Sequence, residues 1–234
     1  MAYSIKEIEK KDIYDFMYVN TMSWTETYKG IIDDSFLEKI VNELEKNVER
    51  QVNLFDKYKS EDPNYKRYIL YVNNESVGVI GLGDSRVDGY KDAGELYCIY
   101  LLKKAQKHGY GKIMFDYAKD RIKELGYKSM IVQCLKDNKT NEFYKHMGCV
   151  LIDSKLRKVG DKEYMENVYL HNLDWKRQFS IFWEKERRIK IPSFFFLVLL
   201  KLYFNGLSYK KIYTHFILKN MQLKSWYWSN YSAY

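Results

Sequence analysis

The chain is short of several things that would reveal a function at once. Its 234 residues hold only three cysteines, Cys98, Cys134 and Cys149, set far apart with no CxxC. That odd, scattered set argues against a disulfide framework and against a zinc site, and it fits a reducing cytoplasm best. None of the four histidines pairs with another at ligand spacing, so no metal is expected. There are two prolines, Pro63 and Pro192, and no Pro-rich linker divides the chain. The first residues, MAYSIKEIEKKDIYDF, are charged throughout and lack the apolar core of a secretory leader. Internal repeats and low-complexity runs are also missing from the body.

The most informative shortage is of acid. From Arg187 to the end there are eight Lys/Arg and no Asp or Glu. The formal net charge of +8 therefore belongs wholly to the last 48 residues, and residues 1–186 carry 31 charges of each sign. A pI of about 9.0 is thus no argument that the folded body binds nucleic acid. The chain divides into a neutral body, 1–174, and a basic, aromatic extension, 175–234. With 46% hydrophobic residues, the body can bury one full core.

What is present reads as a mixed succession of elements. Residues 3–8 alternate like a short strand, and apolar positions from Ile13 to Thr27 suit a helix. GIIDDSFLEKIVNELEKNVERQVNLF offers a turn, an Asp-Asp-Ser cap region and a second amphipathic helix. YKRYILYV (65–72) and VGVIGLGDSR (77–86), joined by NNES, form a hairpin, and GELYCIYLL (94–102) is a fourth strand. A helix follows, with Ile113, Met114, Tyr117, Ala118, Ile122 and Leu125 on one face and Gly126 at its end. SMIVQCL (129–135) is the fifth strand and NKTNEFYKHMG holds a short helix. A last hairpin turns at Gly160-Asp161. This order makes the fold α+β (mixed α/β).

Between the fourth strand and its helix lies AQKHGYGKIMF (105–115). A strand, a glycine-containing loop and a helix start make a generic anion site, because first-turn N–H groups and the positive dipole end face the ligand. Lys107, His108 and Lys112 add positive side chains. Two common phosphate binders fail here. GxxxxGK[ST] is broken by Ile113 and by the absence of a glycine five residues before Gly111, and GxGxxG is broken by Met114.

What remains is Gln106-x-x-Gly109-x-Gly111, followed by Asn138, Tyr144 and Gly148 within NKTNEFYKHMG. In these two stretches, on these elements and in this order, residues 3–174 strongly resemble the GNAT superfamily of N-acetyltransferases. The resemblance implies a central mixed, mostly antiparallel sheet splayed between strands 4 and 5 and flanked by helices. It implies acetyl-CoA as cosubstrate, without a metal, and transfer of acetyl to a primary amine by direct attack in a ternary complex. Backbone amides across Gln106, Lys107, His108, Gly109, Tyr110, Gly111 and Lys112 would hold the pyrophosphate. The strand edge at Ile99, Tyr100 and Leu101 would pair with pantetheine, Asn138 would hold the pantetheine arm, and Tyr144 would protonate the leaving thiolate. Two departures stand out: Lys103 replaces a common proline, and Lys107-His108 replaces the usual Gly-Lys or Gly-Arg.

An ammonium cannot attack a thioester, so a base must take a proton from the acceptor. Glu95, at the head of the fourth strand, is the candidate base, although a strand-end carboxylate is often just solvated. Trp24 and Tyr28, in SWTETYKGII, resemble acceptor-side residues of the family and read equally as core. Tyr144 reads otherwise as helix packing, and Asn138 as a helix cap. The acceptor is a small-molecule or protein amine. Asp84, Asp88, Asp92 and Glu95 in GDSRVDGYKDAGE lean towards a cationic one. The rival function is a non-catalytic CoA-binding or interaction module, targeted to membrane or DNA by its tail.

The extension is expected to be helical. Its one apolar run, IPSFFFLVLLKLYF, has 14 residues and is broken by Lys201, where a spanning helix needs about 20. Packing on the body or on a second copy, as in a homodimer, is the favoured reading. The others are an interfacial helix flanked by KSWYWSNY, a short transmembrane segment, a DNA-binding helix-turn-helix in GLSYKKIYTHFILKN, and an appended or out-of-frame segment.

Overall fold

The computed structural model describes residues 2–174. The expected helix of the extension, its apolar run and its membrane, DNA and homodimer readings lie outside the described residues. Seven strands form one sheet in the order β1-β2-β3-β4-β5-β7-β6. In chain order the elements are β1 (Tyr3–Glu7), α1 (Ile13–Tyr28), α2 (Asp34–Asn42), α3 (Leu44–Glu61), β2 (Lys66–Val72), β3 (Glu75–Asp84) and β4 (Gly94–Leu101). They continue with α4 (Tyr110–Glu124), β5 (Ser129–Leu135), α5 (Thr140–His146), β6 (Val150–Val159) and β7 (Lys162–Asn172). All pairs are antiparallel except β4 and β5, which run parallel.

Burial follows position in the sheet. β2 and β3 carry consecutive buried residues, Tyr68–Leu70 and Val77–Gly83, because both of their faces are covered. The edge strand β6 is largely exposed. On one side α1 packs with Ile13, Phe16 and Val19 against Ile69 and Val79. α4 buries Met114, Phe115, Ala118 and Ile122 completely. Its C-terminus closes as a Schellman turn, with Gly126 at φ 94° and N–H groups of Gly126 and Tyr127 donating to Lys123 and Ile122 carbonyls.

Two details depart from the sequence reading. The expected second helix is two helices, broken at Glu43, where φ −90° and ψ 4° leave the helical region. The apolar period runs on through the break, so the pattern alone could not show it. In α4, Phe115 is fully buried while Ile113, Tyr117 and Leu125 are only partly so.

One irregularity positions the site. β4 and β5 pair only from Gly94–Met130 to Leu96–Val132. The register of β4 against β3 slips between Gly81–Cys98 and Leu82–Leu96, so Tyr97 is an extra residue, a bulge. The bulge bends β4 where its pairing with β5 stops, and the remainder to Leu101 diverges from β5. The bare backbone of Gly83 leaves room for the Tyr97 ring: a Cβ there would lie 2.6 Å from the Tyr97 hydroxyl.

Candidate functional site

The loop after β4 is shaped by its own backbone. A single 3-10 turn, Lys103–Ala105, leads to Gln106, whose side-chain amide donates to the Leu101 carbonyl at 3.0 Å. Lys107 then takes φ 64° and Gly109 φ 83°, which turns the chain into the first turn of α4. The Gly109 carbonyl accepts from Lys112 and Ile113 N–H at 3.1 and 3.3 Å. First-turn amides of a helix have no intrahelical acceptor, which makes this end an anion cradle. Gly109 is required by its left-handed conformation. Gly111 is not: a Cβ there would meet only the Phe143 ring, at 3.7 Å. The Tyr110 side chain is buried and its ring lies 6.2 Å from that of Tyr3, so only its backbone faces the loop's ligand side. Lys112 is ion-paired with Asp116 at 2.5 Å and Lys104 with Glu75, which leaves Lys103 and Lys107 as the loop's lysines without a carboxylate partner among the described residues.

A cavity of about 270 Å³ opens where β4 and β5 part. Ile99, Tyr100, Leu101, Gln106, Lys107, Gly111, Asn138 and Tyr144 all line it. The remaining expected cofactor residues, His108, Gly109, Tyr110 and Lys112, belong to the adjoining loop and helix start. Tyr144 is 6% exposed and packs near the rings of Phe115, Phe143 and Tyr169. Burial pushes its phenol well above the ordinary tyrosine value. Asn138 does cap α5, its Oδ1 accepting from Thr140 N–H at 2.9 Å, and it lines the cavity as well.

A residue that sequence reasoning missed holds this wall together. Asn141, 6% exposed, donates to the carbonyls of Leu135, Lys136 and Asn138 and accepts from Asn167 and the Tyr169 hydroxyl. These bonds tie α5 to β5 and β7. The only signal was a polar residue in the middle of a short amphipathic stretch.

A second cavity, of about 590 Å³, lies on the other side. Trp24 and Tyr28 line it, their rings 4.6 Å apart, together with Phe36, Tyr97 and Tyr100. Burial raises the Tyr28 phenol, with hydrogen bonds to Tyr100 and Asn138 acting against it. Glu95 is on the same wall but is not solvated: it is 1% exposed. It accepts from the Arg86 backbone N–H at 2.7 Å, the Arg86 guanidinium at 3.1 Å and the Gln133 amide at 2.8 Å. Of the other loop acids, Asp84 is engaged by Asn64 and Tyr127 and Asp88 by Lys91, which weakens the lean towards a cationic acceptor. Arg67, Arg157 and Glu166, also on this wall, were not singled out in the sequence. An arginine inside the apolar strand YKRYILYV was the available hint.

Burial pushes the Cys98 and Cys134 thiols up to about 12, so neither is a ready nucleophile at neutral pH. Among the described residues there is no group of three or more His, Cys, Asp or Glu that could hold a metal ion. No helix among them is long and apolar enough to cross a membrane.

Comparison with known proteins agrees with this geometry. The profile of the acetyltransferase (GNAT) family matches residues 27–149. An uncharacterised N-acetyltransferase of Bacillus subtilis (strain 168), YuaI, is 28% identical over 148 residues, covering 61% of this chain and 77% of that protein. Among solved structures, the PaiA N-acetyltransferase of Thermoplasma acidophilum, in complex with coenzyme A, has a TM-score of 0.55 at 21% identity, with 71% of this chain and 98% of that one covered. YncA, a putative acetyltransferase of Salmonella typhimurium with acetyl-CoA, has a TM-score of 0.56 at 14% identity, with 75% and 96% covered.

Proposed function

Since the chain belongs to the acetyltransferase (GNAT) family, we propose that it moves the acetyl group of acetyl-CoA to a primary amine by direct attack in a ternary complex. One geometric relation supports this most: the two cavities share Tyr28, Tyr97, Cys98, Tyr100 and Gln133 as a common wall. Ligands entering from the two sides meet at the bulge of β4. The acetyl-CoA side is the smaller cavity, which adjoins the glycine loop and the unpaired edge of β4. The complexes of PaiA with coenzyme A and of YncA with acetyl-CoA support acetyl-CoA as the cosubstrate. Residues 1–174 form the catalytic domain in this reading, and 175–234 an extension. The three free cysteines suit a reducing cytoplasm.

Bound acetyl-CoA supplies an acetyl group already activated as a thioester. The chain's own residues bind, orient and move protons. The backbone from Gln106 to Lys112 holds the pyrophosphate through the amides not already bonded to the Lys103 and Gly109 carbonyls, and the glycine at 111 lets backbone and phosphate approach closely. The edge of β4 across Ile99, Tyr100 and Leu101 pairs with the pantetheine arm through those backbone groups not taken by β3 or by the Gln106 side chain, and Asn138 holds the arm from α5. Trp24 and Tyr28 orient the acceptor. Glu95 already accepts three hydrogen bonds of the roughly four that a carboxylate can take, and the remaining position receives the amine proton, directly or through a water. Tyr144 keeps its proton at neutral pH because burial disfavours the phenolate, and it gives that proton to the departing thiolate.

Calorimetric titration of CoA and acetyl-CoA into the purified protein tests this reading, alongside a Gly111→Trp variant. Micromolar binding that the variant abolishes, followed by CoA release with an amine from a screen, is expected. A folded protein that binds neither would overturn the reading. Binding without turnover on any amine would favour the non-catalytic CoA-binding module.

A further inference from the structure

The walls of the larger cavity hold three buried charged side chains, Arg67, Glu95 and Glu166, and among the described residues only the two carboxylates have ion-pair partners. Arg86 is paired with Glu95 at 3.1 Å and Arg157 with Glu166 at 2.7 Å. Arg67 has no such partner: among the described residues no carboxylate pairs with it. Yet it is the most buried of the three arginines, at 6% exposed, on β2 and on the cavity wall. Its guanidinium lies 5.7 Å from the ring centre of Phe16 and 5.4 Å from those of Phe55 and Tyr65. It makes one hydrogen bond, from Nη1 to Gln51 Oε1 at 3.0 Å. A guanidinium has five N–H donors. The aromatic faces offset part of the cost of burying this cation, but they accept none of its hydrogen bonds in its own plane.

A second unpartnered group stands on the same wall. The Asn20 Oδ1, one helical turn beyond Phe16 on α1, is buried and accepts no hydrogen bond. The cavity thus presents an unneutralised planar cation and an idle acceptor, and the acid residues that might have drawn in a polyamine are already paired with protein.

We propose that the acceptor amine also carries a carboxylate, as an amino acid does, and that Arg67 holds that carboxylate while the amine points to the shared wall at Tyr100. The planar fork of the guanidinium matches a carboxylate in two parallel N–H···O bonds. The one buried cation without an ion-pair partner is matched by a single negative charge, which favours a carboxylate over a doubly charged phosphate. Asn20 Oδ1 receives an N–H or O–H of the same substrate. This inference rests on the acetyltransferase reading above and narrows its acceptor.

The test compares matched pairs on the full chain: the common amino acids against their carboxamides, with phosphoethanolamine as a further arm, all by CoA release. Wild type should favour the carboxylate member by about tenfold or more in kcat/KM, the scale of discrimination expected when a built hydrogen-bonding site is left unfilled. Arg67→Lys keeps the buried charge but loses the fork. It should collapse that ratio through KM, with kcat and calorimetric CoA affinity held. Arg67→Gln should abolish the preference. A merely structural arginine would instead lower both members of each pair alike and leave the ratio untouched. The inference is overturned by a wild-type ratio near one, by preference for the amides or for phosphoethanolamine, or by normal CoA binding with no carboxylate amine bound or acetylated. Failure to bind CoA at all would instead sink the acetyltransferase reading on which it rests.

Discussion

At position 111 a Cβ would touch nothing closer than the Phe143 ring at 3.7 Å, whereas at position 109 a φ of 83° excludes most side chains. The two glycines of the loop therefore separate by experiment. Gly111→Ala should fold at least as well as wild type, gaining up to about 1 kcal/mol from the helix preference of alanine. It should still weaken CoA binding about tenfold or more, near 1.4 kcal/mol, because the methyl stands where a phosphate must approach. Urea denaturation and calorimetry on the same sample check both halves; unchanged CoA affinity would remove the pyrophosphate from this turn. Tyr144→Phe removes one oxygen with no hydrogen-bond partner among the described residues. It should change stability by less than about 1 kcal/mol and lower kcat on the order of a hundredfold with CoA affinity intact. A retained kcat would take the proton away from Tyr144. Positions such as these were legible in the sequence because the glycine loop, Asn138 and Tyr144 lie on short, spaced stretches. Arg67 and Glu166 were not, since their meaning depends on which side chains far along the chain leave them paired or alone.

At the scale of elements, α5 is only seven residues long, too short to stand without tertiary support. Asn141 supplies that support through contacts to β5, β7 and its own N-terminal turn. Asn141→Leu should cost about 3 kcal/mol, since it strands a buried Asn167 amide, the Tyr169 hydroxyl and two or more carbonyls. CoA affinity should fall as well, because Asn138 and Tyr144 ride on the same element. A urea midpoint equal to that of wild type would show that α5 is held by its apolar contacts alone. The strands were legible from β-forming runs bounded by turns, and most strand boundaries agree closely with the structure. The helix break at Glu43 was hidden by an uninterrupted apolar period. The bulge at Tyr97 was hidden because it is a property of the register with β3 and not of β4 itself.

Across the whole molecule, tyrosine is the residue that ties the site to stability. Tyr28, Tyr100 and Tyr144 surround the meeting of the two cavities, and burial raises all three phenols above the ordinary value of 10.0. In the unfolded chain these phenols lose their protons near pH 10, whereas in the folded protein they keep them. Above that pH the folded state binds more protons than the unfolded one, so stability falls as pH rises. Below pH 10 both states are protonated and the contribution is fully present. Each such phenol should remove about 1.4 kcal/mol per pH unit above the unfolded pKa, until the folded phenol itself ionises. The expected result is a urea midpoint flat with respect to these groups from pH 8 to about 9.5, then falling steeply towards pH 11. Replacing Tyr100 and Tyr144 by phenylalanine together should lessen that fall without removing it, since burial also raises the phenols of Tyr65, Tyr68 and Tyr97. An equally steep fall in the double variant would place the alkaline weakness elsewhere among the tyrosines. If the slope does belong to these phenols, alkaline loss of activity follows loss of the fold, because the Tyr144 proton, which we propose goes to the thiolate, is still in place when the structure gives way.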